Sequence, residues 1–146
     1  MLTGEYKNSL DEKGRLSIPA KLRNSVPGSV LIITRGLDRC LWLFPPDEWK
    51  KMSESLMQAA SPFRKKARIL QRRFIAPAQE VEIDKAGRIN IPVTLQEHAG
   101  LKKEAVILGI KQYIEIWDEA EYENYLESTD EEFQEAAEEL GDLISF

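Results

Sequence analysis

Two aspartate and arginine pairs, four residues apart in each case, are the residues of this 146-residue chain best suited to chemistry: Asp11 with Arg15, and Asp84 with Arg88. Gly14 and Gly87 stand directly before the arginines, and Lys13 and Lys85 lie within the same short stretches. A guanidinium bonds bidentately to a phosphate or to the O6/N7 edge of guanine, and a neighbouring lysine adds a point charge. An aspartate facing a polyanion would repel it, so Asp11 and Asp84 are expected to order a turn. Their carboxylates can accept from backbone amides two or three residues on, while the glycines take a positive φ. A single D-x-x-G-R would be read as turn architecture with a solvated arginine. Its recurrence makes Arg15 and Arg88 candidates for binding a groove of DNA, with Asp11, Gly14, Asp84 and Gly87 positioning them.

The surroundings of the two pairs are copies. Asp11 to Leu22 and Asp84 to Leu95 both spell D-x-x-G-R-Φ-x-I-P-x-x-L, with Φ aliphatic, at a displacement of 73 residues. The same displacement matches Gly36 with Gly109, Leu41 with Ile114, Leu43 with Ile116 and Trp49 with Tyr122. A gapless register from Asp11 to Trp49 is therefore expected, and with it two copies of one supersecondary unit. Alternating apolar positions on either side of each D-x-x-G predict a β-hairpin at about 4–18 and again at 80–91. Pro19 and Pro92 end ladder pairing and open short helices that turn Leu22 and Val26, or Leu95 and Ala99, inward. A strand pair of this size cannot cover its own apolar face, so intimate packing or strand exchange between the copies is expected.

The repeats are assigned to residues 4–49 and 77–122, a basic linker to 50–76 and an acidic tail to 123–146. Val30 to Ile33 reads as a buried strand, answered by Leu41 to Phe44 through a turn at Gly36 to Arg39. Asp47 is expected to cap a helix over 48–58, and Asp118 its counterpart. Ser61-Pro62 is expected to open a linker helix reaching Phe74, with Phe63, Ala67, Leu70 and Phe74 as its apolar stripe. Its other face carries Arg64, Lys65, Lys66 and Arg68, which could contact phosphate or pair with carboxylates of the same or another subunit. Phe133, Ala136, Ala137 and Leu140 predict a docked acidic helix near the C-terminus.

Net charge divides along the chain. Residues 1–76 hold 15 Lys and Arg against 7 Asp and Glu, whereas residues 77–146 hold 5 against 18. A basic N-terminal part can meet a polyanion although the total is −5. No apolar run has membrane-spanning length and the N-terminus has no signal-peptide core, so a soluble cytoplasmic protein is expected. The one cysteine, Cys40, sits in an apolar stretch and reads as a small buried side chain, and the one histidine, His98, as an exposed or capping residue. No Ser-His or Cys-His set, phosphate-cradling loop or metal ligand set is apparent, which argues against an enzyme, a cofactor and a metal. No small-molecule pocket is expected.

The repeated D-x-x-G-R-Φ-x-I-P, the Thr34-Arg35-Gly36-Leu37-Asp38 segment, the basic linker and the length together resemble the MraZ family, whose repeats are similar to the SpoVT/AbrB swapped-hairpin domain. The resemblance implies an α+β fold, a pseudo-two-fold swapped-hairpin β-barrel built from two AbrB-like repeats with peripheral helices. It further implies a nucleoid-associated transcriptional regulator that binds direct repeats in the promoter of the division and cell-wall gene cluster. The family's D-x-x-x-R motif falls on Asp11 with Arg15 and on Asp84 with Arg88. A ring-shaped homo-oligomer, of which an octamer is one form, is implied too. The rival reading is a protein-binding module, an antitoxin or scaffold of the same swapped-hairpin class.

Overall fold

The computed structural model describes residues 2–59 and 61–144. Its elements run β1 (Leu2–Ser9), β2 (Arg15–Ser17), α1 (Ala20–Arg23), β3 (Val30–Arg35), β4 (Leu41–Phe44), α2 (Pro46–Ala59) and α3 (Lys65–Leu70). They continue with β5 (Gln79–Glu82), β6 (Arg88–Asn90), α4 (Val93–Ala99), β7 (Glu104–Lys111), β8 (Ile114–Asp118), α5 (Glu119–Ser128) and α6 (Asp130–Ile144). The class is α+β, as the patterning predicts.

The strands do not pair as local hairpins at 4–18 and 80–91. β1 of copy one ladders with β7 of copy two, and β5 of copy two with β3 of copy one, while β4 and β8 join the copies at the centre. The result is a six-stranded antiparallel sheet in the order β1-β7-β8-β4-β3-β5. β2 and β6 leave it to pair with one another as a separate two-stranded ribbon. Among the described residues these ladders do not close, so the sheet is open, with the ribbon packed on it. The turns still hold each hairpin's two arms together: Asp11 N donates to Arg15 O at 2.9 Å and Asp84 N to Arg88 O at 2.9 Å. Beyond the turn each arm finds its partner in the other copy.

Periodicity explains the layers. In β3 and β4, Leu31, Ile33, Leu41 and Leu43 point to one face, where they meet Ile114 and Ile116 of β8, Leu16, Ile18, Ile89 and Ile91 of the ribbon strands and their extensions, and Leu22 and Leu95 of the short helices. Each such side chain, fully buried, contributes about 1.5–3 kcal/mol. The alternate positions Trp42 and Phe44 face the other side, against Trp49 of α2 and Phe74 beyond α3. There Thr34 donates its hydroxyl to Phe74 O at 2.6 Å, fixing the linker to the sheet.

Strand pairing also corrects the gapless register. Leu31 and Ile33 correspond in face and partners to Ala105 and Ile107, 74 residues on. Leu41 and Leu43 keep the displacement of 73 to Ile114 and Ile116. Copy two therefore has one residue more before β7 and one fewer in the following turn. Without the slip, Ile33 would match Val106, which packs on the opposite face with Cys40 and Trp117.

Two helix starts differ from expectation. α2 begins at Pro46, so Asp47 lies in its first turn, while Asp118 does cap α5 by accepting from Glu121 N at 3.3 Å. α3 begins at Lys65 rather than Pro62, because residues 61–64 form a turn, with Ser61 Oγ accepting from Phe63 N at 3.3 Å and Ser61 O from Arg64 N at 3.0 Å. Phe63 is consequently 93% exposed and leaves the apolar stripe. The helix widens into a π-helical turn over Gln71–Ile75, where Ala76 N donates to Gln71 O. Finally, α6 is helical but not docked, since Phe133, Leu140, Leu143 and Ile144 are all exposed. Positions 145 and 146 of the acidic tail lie outside the described residues.

Candidate nucleic-acid interface

The β2–β6 ribbon gathers both arginines on one surface. Arg15 pairs with Asn90, Leu16 with Ile89, and Ser17 with Arg88. Residues directly opposite in an antiparallel ladder share a face and neighbours alternate. Leu16 and Ile89 are therefore both fully buried beneath the ribbon, and Arg15, Ser17, Arg88 and Asn90 form its outer face. Two positions along the strand and one strand across place the arginine Cα atoms about 8 Å apart. They stand on one ribbon, not on two separate projecting tips.

Each arginine is oriented by its aspartate in the same way. Asp11 Oδ1 accepts from Lys13 N and Arg15 N, both at 2.9 Å, while Oδ2 accepts from Arg15 Nε at 2.7 Å. Asp84 Oδ1 accepts from Ala86 N and Arg88 N, both at 2.9 Å, and Oδ2 from Arg88 Nε at 3.1 Å. The amide of Arg15, followed by its guanidinium and the Lys13 amide, holds the Asp11 carboxyl below its ordinary range against the opposing effect of burial. Asp84 is lowered by the amide of Arg88, then by that of Ala86 and by the Arg88 side chain. Because the carboxylates take only Nε, the two terminal nitrogens of each guanidinium make no hydrogen bond within the chain, among the described residues. That leaves the bidentate edge of both arginines available, with each side chain about one-third exposed.

The turns lock each other. Ile18 N donates to Gly87 O at 2.9 Å and Ile91 N to Gly14 O at 2.8 Å, so each copy's glycine carbonyl holds the other copy's strand. Gly14 and Gly87 have φ of 78° and 79°, the left-handed region that favours glycine. Over them lie two side chains that motif reading missed, Arg23 of α1 against Gly87 and Gln96 of α4 against Gly14. Each clamps its own copy, Arg23 Nε on Ile18 O and Gln96 Nε2 on Ile91 O, both at 2.7 Å. They are equivalent positions of the repeat, so aligning the copies one residue past the motif's last leucine would have found them. Arg23 makes the Arg88 end of the ribbon the more basic one, and Glu12 further reduces positive charge at the Arg15 end.

The other predicted residues fall as follows. Lys13 and Lys85 are exposed at the turns. Arg64, Lys65 and Lys66 are exposed and Arg68 is half-buried with Nη1 on Pro62 O at 3.0 Å. Their helix packs through Phe74 on the sheet face away from the ribbon, so the basic linker and the arginine pair are not brought together. Cys40 is buried and burial pushes its thiol far up. His98 is half-buried rather than exposed: burial lowers its pKa, with Arg35 and Arg39 adding to the effect and the carbonyls of Asp38 and Cys40 opposing it. Among the described residues no group of three or more His, Cys, Asp or Glu is placed to hold a metal ion, and no helix is long and apolar enough to cross a membrane.

An open antiparallel sheet shared by two exchanged repeats, surmounted by a ribbon with an outward arginine pair, defines a two-repeat β-ribbon protein. Comparison with known sequences gives the family. The profile described as "MraZ protein, putative antitoxin-like" matches residues 1–73 and again 74–143. A transcriptional regulator MraZ of Treponema denticola is 52% identical over 97% of this chain and 99% of its own length. Proteins of the same name from Treponema pallidum and Lactobacillus delbrueckii subsp. bulgaricus are 45% and 46% identical, over 97% and 98% of this chain and 95% and 99% of theirs. The chain belongs to the MraZ family. That is a family of transcriptional regulators and not of enzymes.

Proposed function

We propose that this chain is a DNA-binding transcriptional regulator that reads promoter DNA with the outer face of the β2–β6 ribbon. The observation that carries the reading is the pair of guanidinium groups held by Nε alone, with their bidentate edges free on one surface. A two-stranded ribbon fits the major groove, about 12 Å wide, and Cα atoms about 8 Å apart span two to three base-pair steps. Arg15 and Arg88 contact guanine edges or phosphates, Lys13 and Lys85 add phosphate contacts, and Asp11, Asp84, Gly14 and Gly87 position them. The names of the relatives support regulation of transcription.

The finer reading has the DNA as direct repeats in the promoter of the division and cell-wall gene cluster, and the protein as a cytoplasmic, nucleoid-associated ring of identical subunits. One ribbon per subunit would be a weak site. A ring engaging successive repeats gains avidity without new contacts where the geometry permits.

Fluorescence anisotropy with the DNA upstream of this gene tests the proposal across a salt series. Arg15→Ala and Arg88→Ala are each expected to weaken specific binding at least tenfold, on the order of what one bidentate pair supplies, and the double variant to abolish it at unchanged thermal stability. Undiminished binding by the double variant would overturn the reading.

A further inference from the structure

The end of β3 carries a pocket to which neither the ribbon nor the sequence motifs assign a role. It has a volume of about 180 Å³ and is lined by Arg35, Leu37, Leu70, Arg73, Phe74 and His98. Arg35 Nε and His98 Nε2 are buried there without a hydrogen-bond partner among the described residues. Around the mouth, Leu37, Ile69 and Leu70 are exposed apolar side chains. The adjoining helix, α3 with its π-helical turn, carries Lys65, Lys66, Arg68, Arg72 and Arg73 and no acidic residue. The surface is apolar at its centre and basic around it.

A segment of opposite character stands at the other end of the chain. α6 has fifteen residues, about 22 Å of helix, with seven acidic side chains and no basic one. Its stripe, Phe133, Ala136, Ala137, Leu140, Leu143 and Ile144, recurs at three and four residues and faces solvent. Glu132 and Glu139, seven apart, flank that stripe on one side. An open cleft of about 550 Å³, lined by Tyr125, Leu126 and Phe133 among others, lies between α5 and α6. Among the described residues no ion pair involves either α3 or α6. Stripe-to-stripe pairing of two α6 helices would bring together two sets of carboxylates with no cation between them, which is destabilising. The complement in both sign and polarity is the α3 surface.

We infer that α6 of one copy docks on the α3 surface of a second copy, its apolar stripe over Leu37, Ile69 and Leu70 and a flanking carboxylate in the Arg35, Arg73 and His98 pocket. The inference rests on the self-assembly in the proposed function and gives it a surface. The two halves of the contact are different, so the association is head-to-tail and each copy donates one helix and receives one. Such contacts close into rings when the rotation between copies allows, and extend as filaments otherwise. The contact also leaves the ribbon face free, since α3 packs on the opposite side of the sheet.

Sedimentation velocity on the full chain without DNA tests the docking. Wild type is expected to assemble beyond the monomer. Glu132→Lys with Glu139→Lys, and separately Arg72→Glu with Arg73→Glu, should each weaken assembly on the order of tenfold or more. An equimolar mixture of the two charge-reversed proteins should restore it, because each then meets a complementary surface on the other. Leu140→Ser, which changes a single exposed side chain, should weaken assembly as well. Either charge reversal retaining wild-type mass, or a mixture that fails to reassemble although both variants are folded, would overturn the docking. A wild type that stays monomeric at 100-fold the concentration used for DNA binding would sink both the docking and the ring, and a basic protein partner would then be the occupant of α6. Loss or retention of DNA binding in the Arg15 and Arg88 variants reads the ribbon independently of these masses.

Discussion

Trp42 and Glu115 face each other across the centre of the six-stranded sheet, and they are the same position of the repeat. Trp42 Nε1 donates to Glu115 Oε2 at 2.8 Å, and Trp117 Nε1 donates to Oε1 of the same carboxylate at 3.0 Å. One side chain thus satisfies two indoles on the face that carries α2 and α5. Hydrogen bonds to a charged group are worth about 1.5–3 kcal/mol each, and Trp117 is buried. Glu115→Ala is expected to lower stability by about 2–4 kcal/mol, and Glu115→Gln, which keeps one acceptor oxygen, by roughly half as much. Urea unfolding followed by tryptophan fluorescence measures both; a cost for Glu115→Ala under about 0.5 kcal/mol would show that the indoles find other partners.

Gly14 supports a second prediction through its φ of 78° and the side chain above it. A Cβ there would collide with Gln96 Nε2 as well as adopt a left-handed backbone. Gly14→Ala should cost about 1–3 kcal/mol. Adding Gln96→Ala removes the collision but not the backbone strain, and it loses the bond to Ile91 O, so in a double-mutant cycle the two costs are expected to sum to less than their separate values. Strictly additive costs would mean that Gln96 already moves aside for the added Cβ.

The motif, the hairpin turns and the buried strands were legible because each rests on local chemistry: Asp accepting from amides, Gly at positive φ, Pro ending a ladder, alternation along Val30 to Ile33. What the sequence could not show was which strand each arm meets. Alternation tells Leu16 to face inward, yet says nothing of whether its neighbour is β1 or β6, because both offer an apolar partner. The slip between β3 and β7 stayed hidden for a related reason. Apolar runs such as Val30 to Ile33 and Ala105 to Leu108 are buried on both faces, so a one-residue shift leaves no polar residue out of place. The candidate site was legible as residue types, whereas the sharing of one face by Arg15 and Arg88 depended on the exchange.

That shared face separates the arginines from the linker. On a single-repeat duplex at low salt, where avidity does not enter, replacing Arg64, Lys65, Lys66 and Arg68 together by alanine should leave affinity within about threefold and the salt slope unchanged. Arg15→Ala or Arg88→Ala should each reduce the slope by about 0.9 for every phosphate that the protein no longer neutralises. A drop of three or four in slope for the linker variant would place DNA on α3 instead.

The two aspartates and His98 predict where acid acts. Asp11 and Asp84 are held below the ordinary value of 3.8, chiefly by the amides of Arg15 and Arg88. A carboxyl lowered in the folded state contributes stability that is fully present above 3.8 and is lost as pH falls through the lower folded value. His98 is lowered from 6.5, mainly by burial. The unfolded chain therefore binds the proton first, and stability declines as pH falls below 6.5 towards the folded pKa. The two losses set in at different points, the first below 6.5 and the second below 3.8, so urea midpoints measured from pH 8 to pH 2 should begin to fall at the upper one and steepen at the lower. Substituting His98→Gln should remove the upper one alone. Asp11→Asn with Asp84→Asn should flatten the lower one and, by releasing Arg15 and Arg88 from their Nε partners, also weaken DNA binding at pH 7. An upper decline that persists without His98 would assign it to another group.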